Sequence, residues 1–179
     1  MTVSLAVGLL LELMLGRLGI PVPFVSLVAF HHTVLRKWWM GFLLSWCFGV
    51  LLDMSYGRSC PVHFLLIPVI TVLARIWRAN RLTHLLLLQA APGFVIGLLN
   101  AVAMLLARLQ LTGKLQLLEF WPMLRYMLFV MMTATITMPL VCWLLDRQAA
   151  RLGLQRYTHV GVVYVPYVCM RDYEEQEDA

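Results

Sequence analysis

The sequence predicts an all-α integral membrane protein with six transmembrane helices. Three observations carry that reading. The 179 residues are 61% hydrophobic and only 13% charged, about half the charged share of a soluble domain. Mean hydropathy is +0.82. The apolar residues fall into six segments separated by short polar stretches, so no large soluble domain fits between them.

The segments follow in order. Residues 2–15 end at Gly16-Arg17, and residues 20–35 end at Arg36-Lys37. Residues 38–52 end at Asp53, and residues 62–76 end among Arg75, Arg78 and Arg81. Residues 82–107 end at Arg108, and residues 120–145 end at Asp146-Arg147. A perpendicular span takes about 20 residues, so the first four are short and the last two are long enough to cross with tilt. The first two also fit a re-entrant hairpin around Gly19-Ile20-Pro21-Val22-Pro23. Pro92 and Pro139 are expected to kink their helices. The start, MTVSLAVGLLLELMLGRLGIP, has no basic leader region and no A-x-A-like cleavage site, and is expected to stay as a membrane segment.

Residues 1–147 are thus read as a six-helix transmembrane domain and 148–179 as a tail: amphipathic, then β-prone, then acidic. The stretch 145–156 is suited to continue the sixth helix along a membrane surface. With six spans the termini share a side, together with Arg36, Lys37, Arg75, Arg78, Arg81, Arg147, Arg151, Arg156 and Arg171. Arg17, Arg58, Arg108, Lys114 and Arg125 fall opposite. The excess marks the cytoplasmic face, so both termini are placed in the cytoplasm. The formal charge of +5 follows from these topology determinants, and no basic–aromatic run points to nucleic acid. Cys47, Cys60, Cys142 and Cys169 form no C-x-x-C pair. Cys47 and Cys142 read as small core residues.

Few polar residues remain to be explained. Asp53 stands at the C-terminal end of its segment, where the helix dipole disfavours an anion. Its bland reading is an ordinary polar helix end. The alternatives are capping the free N–H groups of the next helix, pairing with Arg58, or meeting a partner. Gly57 suits a turn with positive φ, Ser59 an N-cap and Pro61 a first helical turn. His63 follows as a packing residue or lock. Glu12, Asn100 and Arg125 are the intramembrane polar groups, which are functional candidates by default. Glu12 and Arg125 form a pair only if their depths match, and the plain alternative for Glu12 is its neighbour Arg17. Gly93-x-x-x-Gly97 lets another helix come close. His31, His32 and His84 invite a bis-His haem test, but no repeated facing-His pattern supports one. No catalytic pattern is present; no cofactor or metal is expected, and the chain is not read as an enzyme.

The stretch Gly49-Val50-Leu51-Leu52-Asp53, then Gly57, then Val62-His63-Phe64-Leu65 resembles the rod shape-determining MreD family of bacterial inner-membrane proteins. The early Gly19-Ile20-Pro21 turn fits as well, while Pro61 stands where that family usually has a second Gly. The resemblance is tighter over residues 41–66 and loose elsewhere. It implies a non-catalytic scaffold in the bilayer whose outward junction, Gly49, Asp53, Gly57, Pro61 and His63, meets an MreC-like bitopic protein. It further implies work beside RodA and its transpeptidase, the peptidoglycan synthases of the elongation machinery. The fold it implies is similar to the substrate-binding subunits of energy-coupling-factor transporters. That similarity supplies a second reading, a vitamin-binding transporter subunit; a membrane enzyme or haem protein is a third.

Overall fold

The computed structural model describes residues 1–35, 38–57, 61–79, 88–112, 120–153 and 157. Among them the chain is all-helical: α1 (Thr2–Arg17), α2 (Phe24–Leu35), α3 (Trp38–Ser55), α4 (Val62–Ala79), α5 (Ala90–Thr112) and α6 (Phe120–Arg151). Arg58, Ser59 and His84, and the expected start of the fifth segment at residues 82–87, lie outside the described residues.

The helix ends follow from local chemistry. After α1, Gly19 takes φ +78. Its N–H reaches Gly16 O at 3.1 Å and the Ile20 N–H reaches Leu15 O at 2.9 Å. This is a Schellman cap, which satisfies two orphan carbonyls and requires a left-handed residue; Pro21 then prevents continuation. α3 stops in the same manner, with Gly57 at φ +60 and its N–H on Met54 O at 3.0 Å. α6 runs through residue 147 without a break and stops at Arg151, so the sixth segment does continue into the tail. Pro92 does not kink a helix: α5 begins at Ala90, so the proline occupies the first turn, where no intrahelical bond is lost. Pro68 lies inside α4. Its missing N–H frees the Phe64 carbonyl, which accepts the Trp46 indole N–H at 3.3 Å instead.

α2 is the centre of the bundle. Nine of its 12 residues are buried, and it packs against each of the other five helices. α1–α2 and α3–α4 are neighbouring antiparallel hairpins, and α5–α6 is a third, tightly packed pair. In that pair a Cβ on Gly93 would meet Ala134 O at 2.6 Å, and one on Gly97 would meet Met131 Cα at 2.9 Å. The two glycines therefore allow backbone-to-backbone approach, as their spacing predicts.

The core is apolar, with Leu27, Phe30, Ile67, Ile70, Ile96 and Met138 fully buried, but it also holds many polar groups while large apolar side chains cover the outside. Glu12, Ser26, His31, Thr33, Ser45, Asp53, His63, Thr71, Asn100 and Asp146 are buried, whereas Leu10, Met14, Leu65, Met132, Ile136 and Leu140 stand outward. Cys47, expected as a small core residue, is on the exposed side of α3; Cys142 is buried as expected. Among the described residues two helices, α5 and α6, are long and apolar enough to cross a membrane. α2 covers only about 18 Å at 1.5 Å per residue, against a hydrocarbon core of about 30 Å.

Candidate functional site

Two acids point the wrong way for their own helices and the right way for the next one. Asp53, in the last turn of α3, accepts the His63 backbone N–H at 2.7 Å through Oδ2. Its Oδ1 lies 2.8 Å from His63 Nδ1. Glu12, toward the end of α1, accepts the Val25 N–H at 2.9 Å through Oε2. Val25 and His63 are each the second residue of their helices, α2 and α4, where backbone donors have no intrahelical acceptor. Each acid therefore caps the following helix from across a hairpin, at the positive end of that helix's dipole.

His63 joins the two hairpins. Its Nδ1 side meets Asp53, and its Nε2 lies 4.0 Å from Glu12 Oε1. Gly49 makes room for it: a Cβ there would meet His63 Cβ at 3.0 Å and Ile67 Cγ1 at 3.2 Å. The Tyr56 hydroxyl donates to Glu12 O at 3.2 Å, and a Cβ on Gly16 would strike that hydroxyl at 2.6 Å. Gly57 supplies the turn and exposed Pro61 immediately precedes α4.

Glu12, Gly16, Tyr56 and His63 wall one side of a cavity of about 280 Å³. Asn100 and Met104 of α5 and Tyr126 and Val130 of α6 wall the other, and the Gly19–Pro23 turn closes an edge. The turn is tied to α6 by the Thr133 hydroxyl, which donates to Pro21 O at 3.0 Å. Among the intramembrane polar candidates, the structure thus brings Glu12 and Asn100 to one cavity. It leaves out Arg125, which is exposed and does not line that cavity. Glu12 is instead held by the α2 N-terminus, and the neighbouring Tyr126 lines the cavity in place of the arginine.

A second polar cluster lies at the opposite end of the bundle. Asp146 Oδ1 accepts the Tyr157 N–H at 2.7 Å and lies 3.4 Å from His31 Nε2. The Tyr157 ring is fully buried and stacks on His31, with centroids 5.2 Å apart and planes at 18°. Burial pushes its phenol well above the ordinary tyrosine range, so it stays neutral. His32 Nε2 sits 2.6 Å from Ser4 Oγ. The two histidines are thus engaged by a carboxylate and a hydroxyl. Among the described residues no group of three or more His, Cys, Asp or Glu could hold a metal ion.

Sequence reasoning missed Asp146, Tyr56 and Tyr157 as partners. Asp146 and Tyr157 are 11 residues apart, a spacing like that from Asp53 to His63, and that was the available signal. Nothing local marks Tyr56, whose role depends on α1. No family model, curated protein or solved structure matches this chain.

Proposed function

We propose that this chain is a non-catalytic scaffold of the bacterial cell-elongation machinery, an MreD-like protein crossing the inner membrane six times with both termini in the cytoplasm. The location is supported by the apolar exterior, on which many large hydrophobic side chains stand exposed while polar groups such as Glu12, His31, Asp53 and Asn100 are buried. In water such a surface would be one continuous apolar patch; in lipid it is the required one. The short α2 is consistent with this, because it is enclosed by other helices and need not match the bilayer by itself.

The observation that carries the role is the Asp53–His63 clasp. Gly49, Asp53, Gly57 and His63, the residues of the family-like stretch, serve one local structure: a clasp that ties the end of α3 to the start of α4. Residues with chemistry to perform would instead converge on a reacting centre with an activated partner. Two helix ends held together in this way suit a docking face for an MreC-like bitopic protein. The peptidoglycan synthases, RodA and its transpeptidase, join through that partner.

The test is affinity purification of the tagged chain from its own membranes, with Asp53→Ala at matched protein level as the comparison. Recovery of an MreC-like protein with wild type, reduced with Asp53→Ala, is expected, together with rounding of rod cells on depletion. Unchanged recovery with Asp53→Ala would remove the junction from the interface. A second reading, the binding subunit of a vitamin transporter, is favoured by one feature, the cavity beside Glu12 and Asn100. Co-purification with transporter ATPases would select it.

A further inference from the structure

The cavity between the two hairpins and α5–α6 is not needed for the clasp itself, and one of its walls carries an amide, Asn100, with an acceptor to spare. Asn100 is only 7% exposed and lines the cavity. Its amide nitrogen donates to Ile96 O at 2.9 Å. A carbonyl can only accept, so this bond fixes the amide orientation. The other end, Oδ1, accepts no hydrogen bond from the described residues, and because Asn100 lines the cavity an occupant's donor can meet it.

The surrounding groups narrow the occupant. Glu12, His63, Tyr56 and Tyr126 line the same cavity as Asn100. The Asn100 oxygen and the Glu12 carboxylate accept, whereas tyrosine hydroxyls can donate or accept, so the occupant must be able to donate and is best served by groups that do both. A phosphate there would face a carboxylate and a carbonyl oxygen, with no compensation from Asn100. An ammonium would have to shed its water, at a large cost in a buried site. It is also not required, since Glu12 already meets the Val25 N–H and the positive end of α2. Neutral hydroxyls fit both constraints. At about 280 Å³ the space is at the lower limit for small-molecule sites, the size of a headgroup rather than a whole lipid.

We infer that this cavity is a binding site for a vicinal diol, with Asn100 Oδ1 and Glu12 as acceptors and the two tyrosines as flanking walls. The diol is carried either by the glycerol headgroup of a lipid or by a free polyol. The lipid source rests on the membrane location proposed above; the free polyol does not, so the two readings fail separately.

The test uses the full chain purified in an amine-oxide detergent, which has no sugar hydroxyls to compete. Native mass spectrometry compares adducts with phosphatidylglycerol and with phosphatidylcholine, and a thermal melt is followed with added sorbitol. Two variants accompany wild type: Asn100→Leu removes the acceptor at similar volume, and Met104→Phe fills the space from α5. Their melts without ligand report folding. A phosphatidylglycerol preference of tenfold or more that both variants abolish supports the site and assigns the lipid. A sorbitol-dependent rise in melting temperature that both variants abolish, with no lipid preference, supports the site and assigns the free polyol. Equal retention of the two lipids with no sorbitol effect overturns the inference. So does any preference that persists in folded Asn100→Leu.

Discussion

Replacing Asp53 by alanine tests the clasp directly. The side chain is 4% exposed and is held at 2.7 Å from the His63 N–H and 2.8 Å from its ring nitrogen. Removing one partner of a buried, charge-assisted pair leaves the other group desolvated, at about 3–5 kcal/mol. For a chain of this size each kcal/mol moves the midpoint by roughly 2–4 °C, so Asp53→Ala should lower the melting temperature by roughly 6–20 °C. Asp53→Asn keeps an acceptor for the N–H and loses mainly the ring contact, so about 1–2 kcal/mol is expected. Combining Asp53→Ala with His63→Ala should cost less than the sum of the single changes, because both remove the same interaction. The assay is thermal unfolding of purified protein followed by intrinsic tryptophan fluorescence. An Asp53→Ala melt within about 2 °C of wild type, or strict additivity in the double variant, would refute the clasp as a structural lock.

Four further outcomes follow from the same geometry. Gly93→Ala and Gly97→Ala should each destabilise the α5–α6 pair by about 1–3 kcal/mol through overpacking, because the new methyl meets backbone atoms at 2.6 and 2.9 Å; limited proteolysis of that hairpin reads this out. Gly57→Ala meets open space and should cost only the left-handed penalty of about 1–2 kcal/mol, measured as a smaller shift in the same melt. Tyr157→Phe should change stability by no more than about 1 kcal/mol, because the buried hydroxyl makes only a loose contact with the Trp77 indole N–H. Tyr157→Ala should cost about 3–5 kcal/mol, and a melt in which the two Tyr157 variants coincide would show that the ring is not seated on His31.

The recurring device in this bundle is an acid that stabilises a neighbouring segment rather than its own helix. Glu12, Asp53 and Asp146 each accept a backbone N–H from 10 to 13 residues further along. Apolar surroundings give such bonds their value: a buried N–H without an acceptor is expensive, and a carboxylate without donors is more so. Each acid settles both debts together. The result is a set of clasps between successive segments in a chain with few charges, and two of them, at Glu12 and His63, border the cavity.

The sequence determined the helices, their order and most of their ends. Apolar runs bounded by Gly19, Gly57 and the arginines are local signals, and a Schellman cap needs only a glycine followed by an apolar residue and a proline. It also pointed to Asp53 and the Gly93–Gly97 approach, since an anion at a helix C-terminus and a small-residue stripe are each conspicuous in an apolar context. Only the tertiary structure decided the partners. It turned Glu12 to Val25 rather than Arg125, placed Asn100 across a cavity from His63, and seated Tyr157 between His31 and Asp146. Those pairings depend on how the helices rotate about their axes. Rotation is set by packing against five neighbours at once, as α2 shows, and no single stretch of sequence encodes it.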